Sequence, residues 1–190
     1  MTRLIFVTLM TLYLAIFSGS LQAQGLDINL SNDSVQINYA KQLSSDQYGR
    51  KEAIAGLLYN RSDNIMFDAG LQIVDEAGSK TPGLEAGIGV KLYAGKTKSR
   101  QYLNLGLGGL LGFRPLSFNR LIFNISAYYA PSIVSFLDSS GLWELGAQIG
   151  YEIVPSASVY VGYRDIHTDI DVRGERTVDK GAFIGVSMNF

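Results

Sequence analysis

The sequence predicts an all-β fold: a single antiparallel transmembrane β-barrel of about ten strands, with eight as the alternative count, after an N-terminal signal peptide. Three observations predict it. Apolar residues alternate with small or polar ones at a period of two in segment after segment. The non-apolar face of those segments is dominated by glycine. The chain also stops in mid-strand on an aromatic residue, Phe190.

The N-terminus opens with Arg3, continues in an apolar run from Leu4 to Phe17, and passes through small residues to "LQA". That is the layout of a secretory signal peptide, with cleavage expected after Ala23. The domain division is therefore 1–23, signal peptide, and 24–190, barrel. The apolar run is short for a spanning helix. The chain contains no cysteine, which excludes a lipidated N-terminal cysteine and a disulfide scaffold.

Ten segments follow, roughly 26–31, 34–43, 52–60, 64–74, 83–94, 101–112, 120–130, 142–154, 157–168 and 181–190. In "LEAGIGVKLYAG", Leu84, Ala86, Ile88, Val90 and Leu92 share one face, and Glu85, Gly87, Gly89, Lys91 and Tyr93 the other. "LWELGAQIGYEI" and "NIMFDAGLQIV" repeat the alternation, as do "LIFNISAYY", "YLNLGLGGLL" and "SVYVGYRD". A soluble β-sandwich also alternates, but its outward face should carry mostly Lys, Glu, Thr and Ser. Glycine is poor in strands; it suits a narrow closed lumen that must leave room for large neighbours. Many segments run about ten residues, the length a tilted strand needs to cross a bilayer. Tyr93, Phe113, Trp143, Tyr151 and Tyr163 lie towards segment ends, as interfacial girdles do.

A sheet inside a bilayer can leave no edge, because no water is present to satisfy its backbone groups. The last strand must therefore pair with the first, near Leu26 to Leu30. Ile184, Val186, Met188 and Phe190 share the apolar face of that strand. The terminus resembles the C-terminal signal read by the barrel-assembly machinery, with Phe190 terminal, Met188 two before it and Gly185 five before it. Phe183 stands where that signal usually has a polar residue. "PSAS" at 155–158 reads as a tight periplasmic turn, and 131–141 and 171–181 as longer outer loops. Against that asymmetry, "RSD" makes a short outer loop and "SSDQYGRK" a long inner one.

The formal net charge of −1 gives no basic footprint for nucleic acid, and no polybasic run suggests a helix lying on a membrane surface. No metal-ligand spacing and no nucleotide site is present, so no cofactor is expected. "GLGG" at 106–109 lies within an alternating strand, where Gly108–Gly109 reads as a bulge. The charges expected to face the lumen are Asp68, Glu85, Lys91, Glu144, Glu152 and Arg164. Glu144 and Glu152 share a strand face, with Arg164 on the next strand, where a short turn can bring such residues opposite one another.

Across "GLEAGIGVKLYAG", "RLIFNISAYYAPSIVSF", "GYEIVPSASVYVGYRDI" and "TVDKGAFIGVSMNF" the sequence resembles the YfaZ family of outer-membrane proteins. Ala127–Pro131 and Gly150–Arg164 are the most particular stretches. The resemblance implies a small barrel in a Gram-negative outer membrane and no particular reaction.

The functional expectation is a non-enzymatic barrel of structural or narrow-passage, porin-like role, whose luminal charges neutralise one another. It would be a monomer surrounded by outer-membrane lipids and lipopolysaccharide. The alternative is a lipid-modifying enzyme using His167 at the outer end of a strand. Asp165 and Asp169 share its strand face, and Ser135, Ser139 or Ser140 would be the nucleophile. Asp169, Asp171 and Glu175 form an acidic group suited to a divalent cation or a bridge to lipopolysaccharide.

Overall fold

The computed structural model describes residues 24–78, 81–97, 100–170 and 174–190. The signal-peptide segment, Asp171 and the Glu175 side chain lie outside the described residues.

Alternation becomes strand wherever the expected segments lie. The strands are β1 (Gln24–Ser31), β2 (Ser34–Asp46), β3 (Gly49–Asn60), β4 (Asn64–Glu76), β5 (Leu84–Thr97), β6 (Arg100–Phe113), β7 (Leu121–Ala130), β8 (Ser135–Leu137), β9 (Ser139–Val154), β10 (Ala157–Ile170) and β11 (Gly174–Asn189). Ten of them form one cylinder in which each pairs antiparallel with its neighbours; the short β8 lies outside the ring and pairs only with β6. The eight-stranded alternative is not what forms.

The first and last strands close the ring. Leu26 lies opposite Met188, Ile28 opposite Val186, and Leu30 opposite Ile184. Every strand of the ring thus has a partner on each side, and the cylinder has no edge to leave unsatisfied. A sandwich, which would leave open edges, is excluded.

Hydropathy is inverted relative to a soluble domain. Ile88, Leu107, Val161 and Ile184 point outward and are 58–73% exposed, while the inward-facing Gln36, Asp68 and Arg164 are 4–5% exposed. A soluble surface does not carry a continuous apolar belt of this extent. A hydrocarbon surround accounts for it, with strands as the crossing elements. Among the described residues no helix is long and apolar enough to cross a membrane.

Several details differ from the sequence reading. The expected long inner loop "SSDQYGRK" shrinks to a turn at 47–48, because β2 continues to Asp46 and β3 begins at Gly49. Gly49 takes φ +108°, a value an L side chain strains to adopt. The Tyr48 amide donates to Asp46 Oδ1 at 2.9 Å, closing the turn. The expected long outer loop 171–181 is mostly strand, since β11 starts at Gly174. The loop at 131–138 folds back through the 3₁₀ turn Ser132–Val134 and β8. Backbone pairing continues beyond the apolar belt, and alternation of side chains does not register that extension. The longest links at the end carrying the termini, 77–83 and 114–120, exceed most links at the far end.

Gly108–Gly109 is no bulge: Gly89 and Ile88 face them in continuous register on β5, as do Tyr128 and Ala127 on β7. The glycines instead make room. A Cβ on Gly106 would lie 2.9 Å from the Tyr93 ring, one on Gly108 2.5 Å from Tyr128, and one on Gly162 2.5 Å from Phe183. Tyr93 is accordingly a luminal residue with no exposed surface, not a girdle residue.

Candidate functional site

The inward faces of the strands build three levels inside the cylinder. Nearest the end that carries the chain termini, Arg50 and Glu52 pair on β3, and Arg50 Nη2 reaches Glu85 Oε2 of β5 at 3.4 Å. Gln72 of β4 donates to Glu52 Oε2 at 2.7 Å.

At mid-height, Lys91 of β5 crosses the lumen to Glu144 of β9, with Nζ 3.2 Å from Oε2, and lies 4.0 Å from Asp68 Oδ1. The Tyr93 hydroxyl donates to the same Glu144 oxygen at 2.5 Å. Lys91 also stands 4.3 Å from the centre of the Tyr128 ring, within cation–π range. Beside this group, Arg164 of β10 donates to Asp179 Oδ2 through Nε at 2.9 Å and Nη2 at 2.6 Å, and to Gln36 and Ser34 of β2. Its guanidinium lies 5.2 Å from the Phe183 ring centre. A buried charge requires a partner and hydrogen bonds, and both Lys91 and Arg164 have them.

Above these pairs the lumen is apolar. Leu58, Met66, Tyr102, Leu142, Ile166 and Val178 point inward from six strands and are each no more than 1% exposed. Asn60 and Asn64 cap this layer by donating to the Val178 carbonyl at 2.6 and 2.9 Å. Ser139, Thr168 and Asn104 form a second polar cap. The far half is therefore filled by side chains. Below it lies a chamber of about 360 Å³, lined by Asp27, Glu52, Asp68, Glu85, Lys91, Glu144 and Arg164 among others. Arg50 and Glu85, with side chains 37% and 41% exposed, mark its mouth at the terminal end.

Of the charges expected to face the lumen, Asp68, Lys91 and Glu144 meet one another. Glu85 lies at the mouth. Glu152 pairs at the rim with Arg114, 2.6 Å away, on the loop after β6. Arg164 does not meet the glutamates of β9: it lies opposite Gly146, while Ile166 faces Glu144 and Ser158 faces Glu152. Its partner is Asp179, in phase with the inward-facing Gly181 and Phe183 of β11 but inside the stretch 171–181 that reads as an outer loop. Tyr93, Tyr128, Arg50 and Glu52 are further luminal residues; the first two were legible as polar-face positions of their strands.

Of the C-terminal motif, Gly185 faces inward, where a Cβ would lie 2.4 Å from the Tyr160 ring. Met188 faces outward, opposite Leu26 of β1 and Ala157 of β10 in the ladder. Phe190 lies one residue past β11 and is 63% exposed.

His167 points to the outside of the barrel, stacked on Trp143 with ring centres 4.6 Å apart and 3° between planes. Asp165 Oδ1 is 2.5 Å from its Nε2, and Lys180 Nζ is 2.9 Å from the other Asp165 oxygen. An Asp–His contact thus exists, while Ser139 and Ser135 bond elsewhere. Ser139 is bonded to Asn104 and Thr168 on the inner face of the wall, and Ser135 donates to the Pro131 carbonyl. Among the described residues no group of acids and histidines is arranged to hold a metal ion.

The family described as "YfaZ precursor" matches residues 1–190. The chain belongs to the YfaZ family. No curated protein matches this YfaZ-family chain. Among solved structures it is similar to a KdgM porin at 10% identity and a TM-score of 0.47, covering 88% of this chain and 99% of that one. It is similar also to a KdgM porin in complex with disordered oligogalacturonate, at 12% identity and a TM-score of 0.48 with the same coverage.

Proposed function

We propose that this YfaZ-family protein is a small, porin-like barrel of the Gram-negative outer membrane that is shut at rest, with a structural role or that of a closed narrow passage. One observation carries the reading: six inward side chains from six strands, each no more than 1% exposed, fill the far half of the lumen. A barrel of this size leaves space for side chains or one small ligand, and here side chains take it. The apolar belt and the family support the location. Residues 1–23 act as the export signal, and Gly185, Met188 and Phe190 present the C-terminus to the assembly machinery. An even strand number leaves both termini and the mouth of the chamber at one end, which we assign to the periplasm, as in bacterial single-chain barrels. Lipid and lipopolysaccharide surround a monomer. A non-enzymatic role fits a lumen filled in this way.

The test is single-channel recording of the refolded mature chain in planar bilayers, with heat-modifiable migration on a gel proving that the barrel has formed. A silent bilayer is expected. Discrete conductance steps from the folded wild-type protein would overturn the closed state.

A further inference from the structure

The seam that closes the cylinder stops partway up its last strand. β1 pairs with β11 from Gly25 opposite Asn189 to Ser31 opposite Phe183, and no further. β11 itself begins at Gly174, where β10 still accompanies it through Ile170. Residues 174–182 therefore have a strand partner on one side only. At the end opposite the chain termini, β11 stands above the β1–β2 turn with its other side unpaired, and such an edge is a template for a further strand.

A cleft of about 590 Å³ lies against that edge. One wall is the unbroken run Arg176, Thr177, Val178, Asp179 and Lys180. The other includes Asp33 of the β1–β2 turn and Asn60, Ser62 and Asn64 of the β3–β4 hairpin. Successive residues point to opposite faces of a strand, so a space that touches all of this run meets the edge itself. The edge already draws donors: the Val178 carbonyl accepts from Asn60 Nδ2 at 2.6 Å and from Asn64 Nδ2 at 2.9 Å. Two side-chain amides thus do for this carbonyl what the N–H of a neighbouring strand would do. Main-chain groups at an open edge are matched by the main chain of an extended peptide.

Charge selects the occupant. Asp33 stands 4.0 Å from Arg61, Asp179 is held by Arg164, and Lys180 pairs with Asp165. Arg176 is half-buried in the cleft wall and makes no ion pair among the described residues. An acidic side chain on the incoming strand would meet it. A second copy of the same edge would bring cations together, and the bulge at Val178 also works against self-pairing.

We propose that the free edge of β11 is a docking site for an extended, acidic peptide segment of a partner protein, which adds as a strand in the cleft between β11 and the tips of the β1–β2 and β3–β4 hairpins. In the orientation assigned above, the site faces the cell exterior. It does not depend on whether the lumen is closed.

The probe is a fluorescent peptide of alternating threonine and glutamate, long enough to span 174–182, with threonine chosen for its strand propensity. Anisotropy is followed as the refolded mature chain is added in neutral detergent micelles, with folding of every variant checked by heat-modifiable migration. Saturable binding at one site per barrel is expected, and weaker binding of a peptide with lysine in place of glutamate. Two further peptides are methylated on the backbone amides, one at every threonine and one at every glutamate, so that one of them must lose its pairing side and its binding. Ser62 is exposed and bonds Asn60 through its backbone amide. Ser62→Trp therefore fills the cleft from the wall facing β11, and is expected to abolish binding. Arg176→Glu should weaken the acidic peptide by about fivefold, the upper worth of an exposed ion pair, and reverse the order of the glutamate and lysine peptides. Should Ser62→Trp not fold, Arg176→Glu and the methylated peptides carry the test. No saturable binding by folded wild type, no preference for glutamate over lysine, or undiminished binding of both methylated peptides would each overturn the proposal. Self-association of the peptide-free barrel in sedimentation, abolished by Ser62→Trp, would overturn it in favour of a second copy.

Discussion

Lys91 and Glu144 meet across the lumen at 3.2 Å although their strands, β5 and β9, are not neighbours in the ring. Their side chains are 12% and 10% exposed. Removing one partner leaves a buried charge uncompensated, at a cost of about 3–5 kcal/mol. Lys91→Met is therefore expected to lower stability by that order in urea unfolding from micelles, because it strips the cation from both Glu144 and Asp68. Lys91→Met with Glu144→Met should cost less than the sum of the single changes, with a coupling of at least about 1 kcal/mol. Additive costs would mean that the pair does not form.

Gly185 and Tyr160 supply the packing counterpart. A Cβ on Gly185 would fall 2.4 Å from the Tyr160 ring and 2.5 Å from Asn29 Oδ1. Gly185→Ala is expected to destabilise by about 1–3 kcal/mol, the usual range for overpacking. In a Tyr160→Ala background the same change should cost markedly less, because the obstructing ring is gone. An equal cost in both backgrounds would place the glycine's role in the backbone.

The outward face makes a prediction that depends on the solvent. Leu107 lies near the middle of β6 and is 63% exposed, whereas Ile65 lies near the far end of β4 beside Lys96. In lipid vesicles Leu107→Arg should cost about 2–4 kcal/mol and Ile65→Arg about 0–1 kcal/mol, the depth dependence expected of a bilayer. On a water-facing surface both would fall within about 0.5 kcal/mol. Urea unfolding from vesicles separates the two cases.

These experiments probe features that the sequence made legible to different degrees. Period-two alternation is a property of single strands, and it located all ten staves and the pairing of Leu26–Leu30 with the last strand. Glycine opposite bulk was legible as a class, while the particular partners, Gly106 with Tyr93 or Gly162 with Phe183, were not, because they lie on different strands. Which charges meet across a lumen depends on ring geometry and on register between distant strands. Lys91 and Glu144 were thus recognisable as luminal but not as partners. Asp179 keeps the inward phase of Gly181 and Phe183 and was hidden because 171–181 reads as loop; the register shift at Ile166/His167 brings in the extra residue Val178. Strand ends were missed at Asp46 and Gly174, where polar side chains continue a ladder held by backbone bonds.

The closed far half of the lumen predicts what opens it. Leu58 and Met66 lie opposite each other on β3 and β4, both without exposed surface. Truncating them to alanine together with Ile166 removes three members of the buried apolar layer, at about 2–5 kcal/mol each if the cavity does not collapse. In planar bilayers the triple variant is expected to give discrete conductance steps where wild type is silent. A folded variant that stays silent would show that the Asn60–Asn64 and Ser139–Thr168 caps close the lumen unaided.

Phe190 separates assembly from stability. It lies beyond the last residue of β11 and is 63% exposed, so it buries little surface on folding. Removing an exposed terminal side chain should change unfolding free energy by no more than about 0.5 kcal/mol. If its role is to be read by the assembly machinery, deleting Phe190 should leave refolding in detergent and urea stability near wild type, while outer-membrane levels of the folded, heat-modifiable form fall several-fold in cells. Loss of stability in detergent would instead make Phe190 part of the barrel's own closure with β1. Wild-type levels in cells would remove it from the assembly signal and leave Gly185 and Met188 to carry recognition.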